Sequence, residues 1–193
     1  RGITTFDIEQ FELPKAPVQL PKYIVAADVK RLLKTAQTKR DEAIISLFFS
    51  TGIRVTELSR LDRYDITENR LQIFGKGNKY RTVIVDPTTL SRLQVCLENR
   101  HDTLRPLFIS NRGTRISKTQ LEHIVRDAGE RIGLKVSPHV LRHAHATDLL
   151  SNGADIRYIQ HGLGHANIST TMLYTHIIDN DFERVYAKYH TIV

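Results

Sequence analysis

The sequence has little of what disulfide-rich, zinc-binding or membrane proteins require. Cys96 is the only cysteine, which excludes an intrachain disulfide and a cysteine-rich zinc site. The chain has no apolar run of about eighteen residues, so no membrane span is predicted. The segment GKGNKY fits neither the dinucleotide-binding nor the P-loop pattern, so no ATP site is predicted. A single cysteine fits a reducing, cytoplasmic setting.

The start of the chain lacks two further features. RGITTFDIEQ has neither the apolar core of a signal peptide nor an initiator methionine, and we expect a fragment of a longer chain. Residues 1–22 contain three prolines and show no clear hydrophobic period. They are predicted to be a linker or arm that follows a missing upstream domain. Residues 23–193 are predicted to form one domain with a sizeable core.

Positive charge exceeds negative charge along this chain. Lys and Arg number 28 against 21 Asp and Glu, a formal net charge of +7. Such a balance favours a polyanionic partner, either nucleic acid or an anionic membrane surface. Charge alone is equally compatible with a basic protein that has no such partner.

The hydrophobic periodicity predicts a mainly α fold with one small antiparallel β-sheet. RLQIFG and KYRTVIV are β-prone and flank KGN, so they are predicted to form a hairpin with Lys76 at its tip. The segment 107–109 is either a short strand or a buried link. Helices are predicted from Ala26, over 41–52, over 54–61, from Pro87 to about Asn99, from Ser117 to Ile132, from Pro138 to Gly153, from Asp155 to about Gly162, around Tyr174, and from Asp179 or Asp181 onward.

The last third of the chain carries the residues best suited to chemistry. His139 and Arg142 form an H-x-x-R pair, and a helix places residues at this spacing on one face. His165 closes an L-G-H triplet, and Tyr174 follows a Ser-Thr-Thr run. Upstream, TGIRVTEL contributes one further basic residue, Arg54, and GKGNK contributes Lys76.

These residue types suit the transfer of a phosphodiester to a tyrosine. A phenol has a pKa near ~10 and is a weak nucleophile without help. Two guanidinium forks, those of Arg54 and Arg142, can stabilise the charge of a five-coordinate phosphorus without a metal. Histidines 139 and 165 can donate hydrogen bonds or move the tyrosine proton. A lysine whose pKa is lowered by neighbouring positive charge can protonate the departing oxygen, which is the role predicted for Lys76.

In their order and spacing, the motifs that carry Arg54, Lys76, His139, Arg142, His165 and Tyr174 resemble those of the tyrosine recombinases, the integrase-type and Xer-type site-specific DNA recombinases. The resemblance covers roughly residue 22 to the C-terminus. It implies the tyrosine recombinase catalytic-domain fold, a 3′-phosphotyrosine intermediate and no cofactor or metal. It also implies double-stranded DNA carrying recombination sites as partner, a homo-tetramer working through a Holliday junction, and a DNA-associated location in the nucleoid. Members of the family carry a preceding helical domain that completes a clamp around DNA.

Several alternatives stay open on the sequence alone. The same residues would serve a type IB topoisomerase-like or a telomere-resolving enzyme, and a catalytically silent DNA-binding module is the non-enzyme option. Glu57 could hold Arg54, support His139 from a second layer, or be an exposed helical acid. Histidines at i, i+4 spacing suggest a metal site, but no Glu completes H-E-x-x-H, so no metal is predicted. His143 is instead predicted to make structural hydrogen bonds.

Two positions depart from the family pattern, and the docking of the tail stays open within it. His145 stands where the family more often has an aromatic residue, and Gly162 stands where a bulky apolar residue is usual. The tail, residues 177–193, has apolar positions at helical spacing, so one face requires burial. It docks either within its own protomer or, by resemblance to the family, onto a neighbouring protomer.

Overall fold

The computed structural model describes residues 24–74 and 80–163. Within these ranges the chain is mainly helical and includes one small sheet, as predicted. The elements in chain order are α1 (Ala26–Lys34), α2 (Lys39–Thr51), α3 (Val55–Leu58), β1 (Ile66–Thr67), β2 (Arg70–Phe74), β3 (Tyr80–Ile84), α4 (Pro87–Glu98), α5 (Lys118–Glu130), α6 (Pro138–Ser151) and α7 (Ile156–Leu163).

Helix α2 is the centre of the fold. It begins where the Thr38 side chain accepts a hydrogen bond from the Asp41 backbone N–H at 3.1 Å, which satisfies a donor left open at a helix N-terminus. Its residues are buried on nearly every side, and it packs against α1, α4, α5 and α6. Each fully buried Ile, Leu or Phe stabilises the fold by about 1.5–3 kcal/mol. The predicted stop is confirmed, because Gly52 ends the helix with a left-handed φ of 59°.

The predicted starts of α4, α5 and α6 are confirmed, and local hydrogen bonds explain them. Asp86, Ser117 and Ser137 each accept a bond from a backbone N–H of the first turn. Pro87 and Pro138 follow two of these caps, at positions where a helix does not need a backbone donor. Helix α5 ends two residues before the predicted Ile132.

The predicted hairpin is confirmed as the antiparallel pair β2–β3. Phe74 pairs with Tyr80 at the end from which the chain enters residues 75–79, so the predicted tip residue Lys76 lies outside the described residues. The sheet has a third strand, β1, that the sequence reading missed. It is only two residues long, too short to show any alternation of apolar and polar positions.

The segment 107–109 is a buried link and not a strand. Leu107 and Phe108 are buried, and only an isolated bridge joins Ile109 to Arg115. The Arg100 guanidinium donates to the carbonyl oxygens of residues 106 and 107 at 2.8 and 2.7 Å. Single backbone bonds join Leu107 to Leu61 and Phe108 to Ile116, without the repeated pairing of a strand.

Helices α6 and α7 lie on α2 and on β3 respectively. Helix α6 packs against α2, α5 and α7, while α7 also contacts β3. The C-terminal ends of α2 and α7 therefore come near the same face of α6. In the part of the chain that the structure describes, no helix combines the length and the apolar character needed to cross a membrane.

Candidate active site

Arg142 lies on α6 and, among the predicted site residues that the structure describes, is the most deeply buried, with 5% of its surface exposed. Its Nη1 donates to the carbonyl oxygen of Gly52 at 2.6 Å, and its Nη2 donates to the carbonyl oxygen of Leu163 at 2.8 Å. Both acceptors are at helix C-terminal ends, where the partial charge is negative and a cation is stabilised. The fork is thereby fixed across the ends of α2 and α7.

Arg54 is held by an acid of the next helix. It precedes α3 as its N-cap residue, and so does not lie within a helix as the sequence reading expected. Its backbone N–H donates to Glu57 Oε2 at 2.9 Å, and its Nη1 donates to Glu57 Oε1 at 3.1 Å. About 38% of the Arg54 side chain is exposed.

Glu57 is a buried hub, which removes the alternative of an exposed helical acid. Only 7% of its side chain is exposed. Burial alone would raise its pKa, but hydrogen bonds from Arg81 and from the Arg54 backbone, with the charges of both arginines, outweigh burial and lower the pKa. The sequence left two site roles open for Glu57, holding Arg54 or supporting His139, and these contacts fit the first.

Arg81 completes this cluster, and the sequence reading missed it. Its Nη1 and Nη2 donate to the two carboxylate oxygens of Glu57, each at 2.8 Å, and its Nε donates to the Gly162 carbonyl oxygen at 3.0 Å. A signal was available in KYRTVIV, because alternation places Arg81 on the same side of the strand as Val83. A charge at an inward-facing strand position requires a buried partner.

The contacts of these residues link the two predicted phosphate-binding arginines. From Arg54 the chain of bonds runs to Glu57, to Arg81 and to the Gly162 carbonyl. The next residue, Leu163, accepts from Arg142, which also bonds to Gly52, two positions before Arg54. The structure thus brings together two groups that are far apart in sequence.

His139 is exposed on the first turn of α6, three residues before Arg142. Its Nε2 lies 2.9 Å from Nε2 of His143, and the two rings meet edge to face. Burial, the neighbouring His139 and the charge of Arg142 lower the pKa of His143, which favours its neutral form. His143 therefore makes a hydrogen bond, as predicted, and its partner is the predicted site residue His139.

His145 packs against the end of α2. A Cβ added at Gly52 would meet the His145 ring at 2.7 Å and Leu163 at 2.6 Å, so this left-handed turn favours glycine. Burial lowers the pKa of His145 to about 4, against a hydrogen bond to the Phe49 backbone that acts in the opposite direction. A neutral ring therefore supports the turn whose carbonyl binds Arg142.

Lys76, His165 and Tyr174, together with the tail 177–193, lie outside the described residues. Gly162 is inside α7, which ends at Leu163 close to the predicted limit. Residues 24–74 and 80–163 contain no group of three or more His, Cys, Asp or Glu arranged to hold a metal ion.

Comparison with known proteins identifies the family of this chain. The phage integrase family model matches residues 22–181. The chain belongs to the phage integrase family of tyrosine recombinases. It is 37% identical over 188 residues to tyrosine recombinase XerA of Pyrococcus horikoshii, covering 94% of this chain and 66% of that protein. The chain spans just under two thirds of the length of this and other curated tyrosine recombinases that it matches.

Solved structures of the family share the fold. The crystal structure of XerA recombinase has a TM-score of 0.79 at 36% identity, covering 94% of this chain and 68% of that one. XerH site-specific recombinase, bound to its palindromic difH substrate in a post-cleavage complex, has a TM-score of 0.73 at 26% identity. That match covers 90% of this chain and 54% of the other. The predicted fold class and family resemblance are therefore confirmed.

Proposed function

We propose that this chain is the catalytic part of a site-specific DNA recombinase that cleaves and rejoins DNA strands through Tyr174. The observation that carries the proposal is the pair of guanidinium groups, Arg54 and Arg142, joined by one chain of bonds and accompanied by the exposed His139. Family membership and the DNA-bound XerH neighbour support it.

In the proposed reaction the Tyr174 oxygen attacks a backbone phosphorus and loses its proton to His165 or His139. The bond from phosphorus to the 5′ oxygen breaks, and Lys76 protonates that oxygen, leaving a 5′ hydroxyl and a 3′-phosphotyrosine. Arg54 and Arg142 stabilise the charge on the phosphate. Rejoining reverses these steps and needs neither ATP nor a metal, because the phosphotyrosine retains the bond energy.

The partners we propose are double-stranded DNA carrying recombination sites and three further copies of the chain, which assemble on two sites through a Holliday junction. Residues 1–22 are proposed as the arm from an N-terminal DNA-binding domain and 23–193 as the catalytic domain. DNA carries one negative charge per phosphate, so the +7 formal charge favours this partner and a nucleoid-associated, cytoplasmic location.

The test is the capture of a covalent protein–DNA adduct. A pool of nicked duplexes with a randomised core is incubated with the chain, so that the short 5′-hydroxyl fragment leaves and rejoining is prevented. We expect a denaturation-resistant adduct in EDTA without nucleotide, and its recovered ends would define the site. Tyr174→Phe should abolish the adduct while DNA affinity stays within about threefold, because the change removes no charge.

A matched control is Tyr64→Phe, which alters a tyrosine that is 80% exposed and lies outside the proposed site. This variant should form the adduct at the wild-type rate. An adduct on Tyr174→Phe, or cleavage that requires added Mg²⁺ or Zn²⁺, would contradict the mechanism. Strand exchange that requires two sites and a four-way intermediate would separate a recombinase from a topoisomerase.

A further inference from the structure

We propose that Arg81 is a positioning residue for strand cleavage, one that sets the geometry of both phosphate-binding arginines without touching DNA itself. It fixes Glu57, and thereby Arg54, on one side, and on the other side it fixes the end of α7 beside the Arg142 contact. This inference rests on the proposed function, because it assigns Arg81 a part in the same reaction.

The first step is the bond to Glu57. Two parallel bonds of 2.8 Å join the guanidinium fork to both carboxylate oxygens, and only 10% of the Arg81 side chain and 7% of the Glu57 side chain are exposed. A bidentate pair of this kind fixes direction as well as distance. The same carboxylate receives Nη1 and the backbone N–H of Arg54, so the orientation of Glu57 sets that of Arg54.

The second step is the bond to α7. Arg81 Nε donates to the carbonyl oxygen of Gly162 at 3.0 Å, and Arg142 donates to the adjacent carbonyl, that of Leu163, at 2.8 Å. Two arginines from different elements thus hold two successive peptide groups of the last described turn. The chain continues from this turn to His165 and Tyr174, so the attachment point of those residues is fixed from two directions.

The third step is the location of Arg81 itself. It is the second residue of β3, which follows residues 75–79 directly, so it lies five positions after Lys76. One side chain therefore joins the strand after the lysine loop, the N-terminus of α3 and the C-terminus of α7. Lysine could not replace it, because a single ammonium lacks the planar fork that reaches two carboxylate oxygens and a carbonyl together.

A purely stabilising ion pair is the competing interpretation. Buried ion pairs are weak evidence for stability, and one carboxylate that already binds Arg54 does not need a second guanidinium for its charge. The separate bond to Gly162 is what distinguishes Arg81 from a simple counterion. The two interpretations differ in whether cleavage falls while DNA binding and folding remain.

The experiment compares Arg81→Ala, Arg81→Lys and the control Arg157→Ala in the 193-residue chain, on the captured nicked duplex described above. Arg157 also loses one charge, but its side chain is 84% exposed and pairs with Asp155 near the start of its own helix. We expect both Arg81 variants to bind this DNA within about threefold of the wild-type affinity, and single-turnover adduct formation to fall on the order of 100-fold, as small misplacements of reacting groups do. Arg157→Ala should change neither rate nor affinity by more than about threefold.

A double-mutant cycle with Glu57→Gln identifies the route. If Arg81 acts through Glu57, Arg81→Ala should slow cleavage much less in the Glu57→Gln background than in the wild type. Hydrogen exchange of amides 156–163 supplies a readout without DNA: it should be faster in Arg81→Ala than in Arg157→Ala. Should Arg81→Ala not fold, the lysine variant, which keeps the charge, carries the same comparison.

If the wild-type chain forms the adduct and both Arg81 variants form it at the same rate, this inference is overturned and the proposed function stays intact. Equal losses of binding and cleavage, matched by a loss of folded protein, would also overturn it in favour of a structural role. If the wild-type chain forms no Tyr174 adduct under any condition, the proposed function fails first and the inference fails with it.

Discussion

The two arginines proposed to bind phosphate are held by different chemistry. Arg142 is buried, and backbone carbonyls of two helix ends bind its fork, whereas Arg54 is more than a third exposed and a carboxylate binds it. Carbonyl groups carry only partial charge, so they orient Arg142 with little neutralisation of it. Glu57 brings a full negative charge beside Arg54, which lies closer to solvent. One arginine is thus fixed by the fold, and the other by a local ion pair.

The largest expected effect comes from replacing each arginine with lysine. Arg142→Lys and Arg54→Lys should each slow adduct formation on the order of 100-fold or more, because an ammonium lacks the fork that matches phosphate oxygens. Urea denaturation should separate them. Arg142→Lys should also destabilise the fold, since the Gly52 and Leu163 carbonyls lose donors, while Arg54→Lys should leave stability nearly unchanged. Equal stability of the two variants would break the comparison.

Removing the negative charge on the Arg54 side tests the ion pair. Glu57→Gln leaves Arg81 buried without its carboxylate, and breaking a buried pair costs about 3–5 kcal/mol of unfolding free energy. The control Asp155→Asn removes a carboxylate that pairs with the exposed Arg157, and its free energy of unfolding should stay close to the wild-type value because exposed ion pairs contribute little. Denaturant titrations measure the free energy of unfolding of both variants. If Glu57→Gln lowers it as little as the control does, the carboxylate of Glu57 does not hold the two arginines as described.

The stability of the fold around Arg142 should depend on pH through the protonation of His145. The unfolded state binds a proton near pH 6.5 and the folded state only near pH 4, because burial lowers the pKa of His145 to about 4. The unfolded state therefore binds more protons between these values. Stability should be constant above about pH 6.5 and fall towards pH 4, by on the order of 3 kcal/mol in total.

His145→Phe should flatten this fall, leaving the part that arises from His143, whose pKa burial also lowers. The matched control is His123→Gln, which removes a histidine from an exposed position of α5. Thermal or urea unfolding between pH 4 and 8 measures both slopes. An unchanged slope in His145→Phe would mean that this ring does not titrate as a buried group.

The smallest expected effect is at the turn that supplies a carbonyl to Arg142. Gly52→Ala and Gly133→Ala both place a side chain at a left-handed φ, which costs about 1–2 kcal/mol. At Gly133 nothing lies within 4 Å of the added Cβ, whereas at Gly52 it meets Leu163 and His145 below 3.0 Å. The difference in unfolding free energy between the two variants therefore isolates the contact, and equal costs would show that the contact is soft.

Local patterns predicted most of the fold because local interactions form its elements. Ser117 as an N-cap and Pro138 in a first turn predicted two helix starts, and two β-prone runs flanking KGN predicted the hairpin. Motif order was enough to single out Arg54 and Arg142. Sequence could not show that backbone carbonyls of Gly52 and Leu163 hold Arg142, because carbonyls are present at every position and only the packing of α2, α6 and α7 selects these two.

Arg81 shows a second limit of prediction from sequence. Its inward position was readable from the strand, but its partner lies 24 residues earlier in a helix of only four residues. No periodicity in so short a segment indicates which way Glu57 faces. The sequence indicates that the buried charge of Arg81 requires a partner. It does not indicate which residue that partner is, because tertiary packing decides this.

The sequence separations of these bonds have a consequence for folding. Arg142 lies 90 residues from Gly52, and Arg81 lies 81 residues from Gly162. Closing loops of that length costs entropy that local helix formation does not recover, so such contacts form late along a folding path. A chain still being synthesised has helices before it has the bonds that arrange its arginines. The proposed DNA cleavage would therefore become possible only after the distant parts of the domain have packed together, and a partly folded chain would be inactive.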